Sequence, residues 1–267
     1  MEAIEYDCAD GISTITIHRQ HRMNALNPNA MQSLKQAFHR FEQSEQSRVC
    51  ILTGEGAKAF CAGADIHETQ DAGDNFAKNF FSRQTSTDRT LYIRDISLPR
   101  LGLTKPVIAA INGVAVGGGM ELALNCDIAI AAETARMGLP EVCIGSIPAV
   151  GGIQRIIHAL PRALAMKLLM TGELIDASQA LEWGLVAEVV APDELMPRAR
   201  AIARQIAANA PLAVKAVRYL AEKAYTQSLN EALETEELVW GHIAASKDRR
   251  EGRAAFSERR NPVFTGL

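Results

Sequence analysis

Two short apolar runs, at 106–111 and 127–132, are joined by a glycine-rich turn and a short helical stretch, and this order most constrains the fold. A run without polar alternation reads as a strand covered on both faces. Gly113 to Gly119 turn the chain, and residues 120–126 continue as a helix. Strand, turn, helix and strand in that order predict a right-handed parallel crossover, and so an α/β fold.

The flanking segments fit the same plan. Ile15 and Ile17 alternate with polar Thr14, Thr16 and His18, as in a half-buried strand. A helix is predicted from Asn27-Pro28, with Asn as N-cap and Pro in the first helical position. Met31, Leu34, Phe38 and Phe41 give it one apolar face. Residues 49–53 read as a buried strand ended by Gly54-Glu55-Gly56. After the turn at 145–152 come helices over 153–159 and 161–171, a helix over 176–183 closed by Gly184, and a final strand at 186–190. Everything past Pro192 reads as helical, including one helix lined by Leu195, Ala199, Ile202 and Ile206 and two more at 211–225 and 229–245. Residues 66–104 are polar and weakly periodic, with helices expected around 74–81 and 87–96. That stretch fits a cover over a site and a peripheral insertion equally.

Composition narrows the functional classes. The chain has 267 residues, 48% hydrophobic and 22% charged, with a net charge of −3. Such a length supports one large domain with a substantial core, and the apolar content opposes disorder. The slightly acidic balance argues against a general nucleic-acid binder. No apolar stretch is long enough to cross a bilayer, and the acidic start Met1-Glu2-Ala3-Ile4-Glu5 has no export signal. Five cysteines at irregular spacing suit reduced thiols, so a cytoplasmic protein is expected.

The 19 glycines cluster at 54–63, 113–119 and 145–152. Beside two of these clusters stand Glu121 and Glu141. Carboxylates on neighbouring loops of a parallel sheet can form a general acid/base pair when desolvated. The same spacing fits two surface charges near helix starts, and by spacing alone that second reading leads. The turn at Gly117–Gly119 offers backbone N–H groups at a helix start, suited to a phosphate or a developing oxyanion. Ala62-Gly63-Ala64-Asp65 can supply a second donor.

Several sites are set aside. No dinucleotide fingerprint, phosphate-binding GxxxxGK[ST] loop or G-x-S-x-G elbow is present. His18 and His21 fall at a strand end without an evident partner, so no metal is expected. Cys61 reads as small core filler. Residues 247–260 hold six basic and three acidic side chains and read either as a solvated helical face or as a phosphate-docking surface.

Taken together, several strings resemble one family. They are Ala59-Phe-Cys-Ala-Gly-Ala-Asp-Ile66, Lys105-Pro-Val-Ile-Ala-Ala-Ile-Asn-Gly113 and Gly117-Gly-Gly-Met-Glu-Leu-Ala123. Gly138-Leu-Pro-Glu-Val142, Gly145-Ser-Ile-Pro148, Gly151-Gly-Ile-Gln-Arg155 and the ending Asp248-Arg-Arg-Glu-Gly252 with Ala255-Phe-Ser-Glu-Arg-Arg260 belong with them. In this order the chain resembles the enoyl-CoA hydratase/isomerase (crotonase) family.

The resemblance implies a spiral of ββα units over residues 1–195 and a helical trimerisation region over 196–267, in homotrimers or homohexamers. It implies an acyl-CoA thioester substrate and no metal or redox cofactor. Carried over by position, the N–H groups of Ala64 and Gly118 would form an oxyanion hole, with Gly117 beside it. Ala62, Asp65 and Ile66, with Arg22, Met23 and Ala25, would lie along the CoA. Glu121 and Glu141 fall on the family's two catalytic glutamates, which favours hydration of a trans-2-enoyl-CoA. Ala149 stands where dienoyl-CoA isomerase-like members carry an aspartate, and His67 where a lysine is frequent. The alternatives are a Δ3,Δ2-enoyl-CoA isomerase using chiefly Glu141, a carnitinyl-CoA dehydratase-like lyase, and a catalytically silent acyl-CoA binder.

Overall fold

The structure, a computed structural model, describes residues 2–68, 98 and 101–267. The helices expected around 74–81 and 87–96 lie outside the described residues.

Strands β1 (Ile4–Ala9), β2 (Ile12–Ile17), β3 (Val49–Gly54), β5 (Val107–Ile111), β7 (Ile128–Ala132) and β10 (Glu188–Val190) form one sheet in that order. All neighbours in it are parallel except the β1–β2 hairpin. A second sheet runs β4 (Ala59–Cys61), β6 (Val114–Val116), β8 (Arg136–Gly138) and β9 (Ile175–Asp176). The chain alternates between them: β3, β5 and β7 enter the large sheet, and the strand after each enters the small one. Repeated strand pairs therefore wind as a spiral, and the α/β expectation holds.

The second sheet was not foreseen. Residues 113–119, expected only to turn the chain, contain strand β6. The corner before it is tight, because a Cβ on Gly113 would lie 2.5 Å from the Lys58 carbonyl group. Asn112 ties this corner to the preceding one. Its Nδ2 donates to the carbonyls of Gly56 (2.6 Å) and Ala59 (3.1 Å), and its Oδ1 accepts from Gly54 N at 3.1 Å.

Both faces of the large sheet are covered, which explains the unbroken apolar runs. Cys50 and Leu52 of β3, with Val107, Ala109 and Ile111 of β5, point into the main core. That core also holds Met31, Leu34, Phe38 and Phe41 from α1 (Pro28–Gln43). Asn27 caps α1 as expected, accepting from Ala30 N at 2.8 Å. The alternate residues Val49, Ile51, Ile108, Ala110, Ile130 and Ala132 pack against Leu195, Ala199 and Ala203. These last three lie on helix α6, Leu195–Ala207. Ala199 and Ala203 of the helix leave room there for the branched side chains of Val49, Ile51, Ile108 and Ile130.

Helices α2 (Gly118–Asn125), α3 (Gly152–Ala159), α4 (Arg162–Thr171) and α5 (Ala177–Glu182) precede α6. After it come α7 (Pro211–Ala224), α8 (Leu229–Ala245) and α9 (Lys247–Glu258). Neither α7 nor α8 has a buried residue, although Ser228 and Glu231 close a capping box at the start of α8. The chain does not stay helical to its end: residues 261–267 form an irregular tail. Buried Asp248 holds that tail, accepting from Thr265 N (2.7 Å) and Gly266 N (2.8 Å). Among the described residues, no helix is long and apolar enough to cross a membrane.

Candidate active site

The end of β4 and the start of α2 are pressed together by glycines. A Cβ on Gly63, whose φ is +84°, would meet Gly118 N at 2.8 Å. One on Gly119 would collide with the Cys61 carbonyl. Gly117 precedes α2 with φ 56° and ψ −130°, a conformation open to glycine. The first N–H groups of a helix have no acceptor within it. In α2 the intrahelical pattern starts only at Glu121, which donates to Gly117 O at 3.0 Å.

Ala64 is turned by its pairing with Leu26. In this parallel bridge Leu26 N donates to Gly63 O (2.7 Å) and Asp65 N donates to Leu26 O (2.9 Å). The N–H of Ala64 therefore points away from Leu26. Two loops that touch each other thus carry the N–H groups of Ala64 and Gly118.

Glu121 sits in the first turn of α2 and is 1% exposed, which rules out the surface-charge reading for it. Its Oε1 accepts from Val150 N (2.7 Å) and Gly152 N (2.8 Å), at the start of α3. A Cβ on Gly152 would stand 2.9 Å from that oxygen, so glycine is the residue that admits the carboxylate. Asn125 pins the same corner by donating to Glu121 O (2.7 Å) and Val150 O (3.3 Å). Burial raises the Glu121 pKa, against backbone hydrogen bonds from Gly152, Val150 and Ala149 that lower it.

Glu141 stands on a 3-10 helix, Pro140–Ile144, across Gly117 from the N-terminus of α2. Its Oε1 lies 3.5 Å from where a Gly117 Cβ would be. Its Oε2 is buried without a hydrogen-bond partner. Burial, with a smaller push from the Glu121 charge, raises its pKa to about 7, although a backbone hydrogen bond opposes this. Glu141 thus senses the Glu121 charge, with Glu121 held by several backbone donors and Glu141 keeping one oxygen without a partner.

The remaining residues separate into two groups. Arg22 and Met23 are exposed, with Met23 at 36% and in the left-handed region (φ 53°). Ile66 is 66% exposed, whereas Ala25 is buried and Ala62 half-buried. Ala62 N donates to Met23 O at 3.1 Å, so the 22–25 and 62–66 segments adjoin. Asp65 differs: its carboxylate is buried against Arg19 at 3.1 Å and accepts from His67 N at 3.3 Å. Its own N–H and C=O are also engaged, by Leu26 O and Glu68 N.

Cys61 is buried, and burial pushes its thiol up to about 12, as befits core filler. His18 does have carboxylate neighbours, contrary to expectation: Glu5 Oε2 at 2.8 Å from Nε2 and Glu55 Oε2 at 3.4 Å from Nδ1. Among the described residues, no three His, Cys, Asp or Glu side chains cluster as metal ligands.

The tying roles of Arg19, Asn24 and Asn112 were missed in the sequence, where Asn24 is read only as part of the 22–25 segment along the CoA and Asn112 only as part of the 105–113 string. Asn24 is fully buried at φ 56°, accepts from Arg19 N and donates to the carbonyls of Glu55 and Ala59. An asparagine followed by small or apolar residues after a strand was the available signal, since Asn tolerates the left-handed region. A cavity of about 500 Å3 lies elsewhere, between α7, α8 and α9, lined by Trp240, Arg249, Arg253 and Phe256 among others. No residue predicted for catalysis or for the CoA borders it, although Arg249 and Arg253 belong to the 247–260 stretch read as a solvated face or a phosphate-docking surface. The paired carboxyls carry the altered ionisation expected of a reacting centre.

Comparison with known proteins extends this geometry. The enoyl-CoA hydratase/isomerase family model matches residues 7–266. The (E)-benzylidenesuccinyl-CoA hydratase of Thauera aromatica is 38% identical over 265 residues, 98% of this chain and 99% of that protein. The short-chain-enoyl-CoA hydratase of Clostridium acetobutylicum is 36% identical, covering 93% of this chain and 92% of that protein. Among solved structures, an enoyl-CoA hydratase from Bacillus anthracis is similar with a TM-score of 0.90 and 36% identity, covering 99% of this chain and 100% of that one.

Proposed function

Since this chain belongs to the enoyl-CoA hydratase/isomerase family and is an enzyme of the hydratase type, we propose that it adds water reversibly across the double bond of a trans-2-enoyl-CoA. One observation carries the reading. A fully buried carboxyl, Glu121, and a half-buried one, Glu141, whose Oε2 has no partner, stand beside a helix N-terminus whose first N–H groups have no intrahelical acceptor.

In this mechanism the Ala64 and Gly118 N–H groups receive the thioester carbonyl oxygen. Glu121, ionised and oriented by backbone donors, takes a proton from water as the water oxygen bonds to Cβ. The electron pair of the double bond moves onto the thioester, and the enolate oxygen is stabilised by the two N–H groups. Glu141, with its pKa near 7, then gives its proton to Cα. Losing one such donor costs about 3–4 kcal/mol of transition-state stabilisation. The pair is reset by proton exchange with solvent. Arg22, Met23, Ala25, Ala62, Ile66 and Gly117 would border the CoA, and Asp65 would act by shaping the loop.

Double-bond migration through Glu141 alone gives no reason to bury Glu121 on three backbone donors, so hydration is favoured. The relatives' names span a benzylidenesuccinyl and a short-chain acyl group. The acyl preference is therefore read by trial of several chain types. We further propose that the exposed faces of α7–α9 join copies of this chain in a homotrimer or homohexamer.

The test follows the ultraviolet absorbance of the conjugated enoyl thioester on addition of enzyme. Loss of that band for at least one trans-2-enoyl-CoA is expected. Binding of the thioesters without any loss would overturn the reading and make the protein a silent binder.

A further inference from the structure

We propose that Arg19 is a positioning residue that fixes the direction of the Ala64 N–H; the inference rests on the hydratase reading above. Arg19 follows β2, and its side chain is 8% exposed. Its Nη1 donates to Ala25 O (2.5 Å) and to Asp65 Oδ2 (3.1 Å). Its Nη2 donates to Glu68 Oε1 (2.7 Å), while the other oxygen of Glu68 accepts from Asn27 Nδ2 (2.6 Å). One guanidinium thereby ties the end of β2, the turn before α1 and the loop after β4.

The placement of these acceptors matters. Ala25 and Asp65 are the immediate neighbours of Leu26 and Ala64, the pair that forms the isolated bridge. A bridge of two hydrogen bonds cannot hold a donor's direction against loop motion by itself. The same Nη1 clamps the residue before Leu26 and the residue after Ala64, so neither strand can slide or roll. The planar fork of arginine reaches several acceptors at once, which a lysine ammonium on the same path does not reproduce.

The surroundings are built for an ionised pair. Burial would raise the Asp65 pKa, but hydrogen bonds from Arg19 and the His67 N–H, and the Arg19 charge, bring it below its ordinary value. An ion pair serving stability alone has no need to straddle both sides of one bridge. This one does, and the residue between its anchors is the proposed oxyanion donor.

A donor that acts on developing charge changes kcat while leaving ground-state binding nearly intact. Arg19→Met is therefore expected to lower kcat about 10–100-fold, as for an ångström-sized misplacement, with KM changed much less. A second reading is independent of turnover. A cinnamoyl-CoA with an electron-donating para-amino group should shift its absorbance to the red when bound, because the oxyanion hole polarises its carbonyl. That shift should shrink in Arg19→Met and in Asp65→Asn, and the double variant should lose no more than either single one. Arg19→Lys should recover only part of it.

An unchanged red shift in folded Arg19→Met, with kcat falling only as the folded fraction falls, would overturn the proposal. If Arg19→Met does not fold, the same two readings on Asp65→Asn decide in the same way. Wild-type enzyme that neither hydrates enoyl-CoA nor shifts the bound chromophore would defeat the hydratase reading instead.

Discussion

Glu141 is ionised less readily in the folded chain than in the unfolded one. Its pKa rises from an ordinary 4.5 to about 7, chiefly through burial. Its stabilising contribution is therefore full below about pH 4.5 and is lost as pH rises through about 7. Glu141→Gln should stabilise the protein at pH 8 by about 1–2 kcal/mol, a figure reduced for the group's partial exposure. Denaturant titration of both proteins at pH 5 and pH 8 checks this, the difference at pH 5 being about a quarter of that at pH 8. The same substitution should lower hydration about 10²–10⁴-fold, the usual worth of a general acid. In the wild type, kcat/KM for hydration should fall on the alkaline side with an apparent pKa near 7. Glu121→Gln should abolish hydration to a similar degree while double-bond migration, if present, persists. Equal hydration rates in wild type and Glu121→Gln would refute its role as base. The positions of both glutamates were legible as carboxylates beside glycine turns. The burial of Glu121 was not, because it comes from the start of α3 folding back over α2, which no local spacing encodes.

The elements were legible in proportion to their length and their covering. α1 announced itself through Asn27, Pro28 and four apolar residues at helical spacing, and β5 and β7 through runs buried from both sides. The strands of the small sheet have only two or three residues each, too short to show alternation. β4, β6 and β8 each follow a corner that leads the chain out of the large sheet, and β9 follows α4. The corners are thus where the fold is most exposed to substitution. Asn112→Ala removes the side chain that joins two of them, takes a side-chain partner from the Gly54 N–H and the Gly56 carbonyl, and leaves the Ala59 carbonyl with Asn24 as its side-chain donor. It should cost about 1–3 kcal/mol, seen as a lower urea midpoint at unchanged slope. A shift under a few tenths of a kcal/mol would mean that water replaces the amide without loss.

Helices α7 to α9, before the irregular tail, leave large apolar side chains uncovered. Leu229 is 74% exposed, Leu238 72%, Trp240 53% and Phe256 88%. Isolated exposed side chains are ordinary, but such a series along α8 and α9 is the surface that the proposed assembly would cover. Sedimentation of the purified protein should give three or six times 28.9 kDa, and Phe256→Ser should shift it toward the single chain. A wild-type monomer at micromolar concentration would remove the assembly proposed for this region. The sequence showed these helices clearly, but their periodicity could not say what their apolar faces meet.

The order of strands in both sheets has one more consequence. In the large sheet it runs β1, β2, β3, β5, β7, β10 and in the small one β4, β6, β8, β9, so each strand pairs with one already made. No strand has to be inserted between two earlier ones. A chain emerging from the ribosome can thus lay down both sheets as it is synthesised, each new pair finding its template in place. The clamp of Arg19 on Asp65 closes in the same direction, with the guanidinium waiting for the carboxylate that follows.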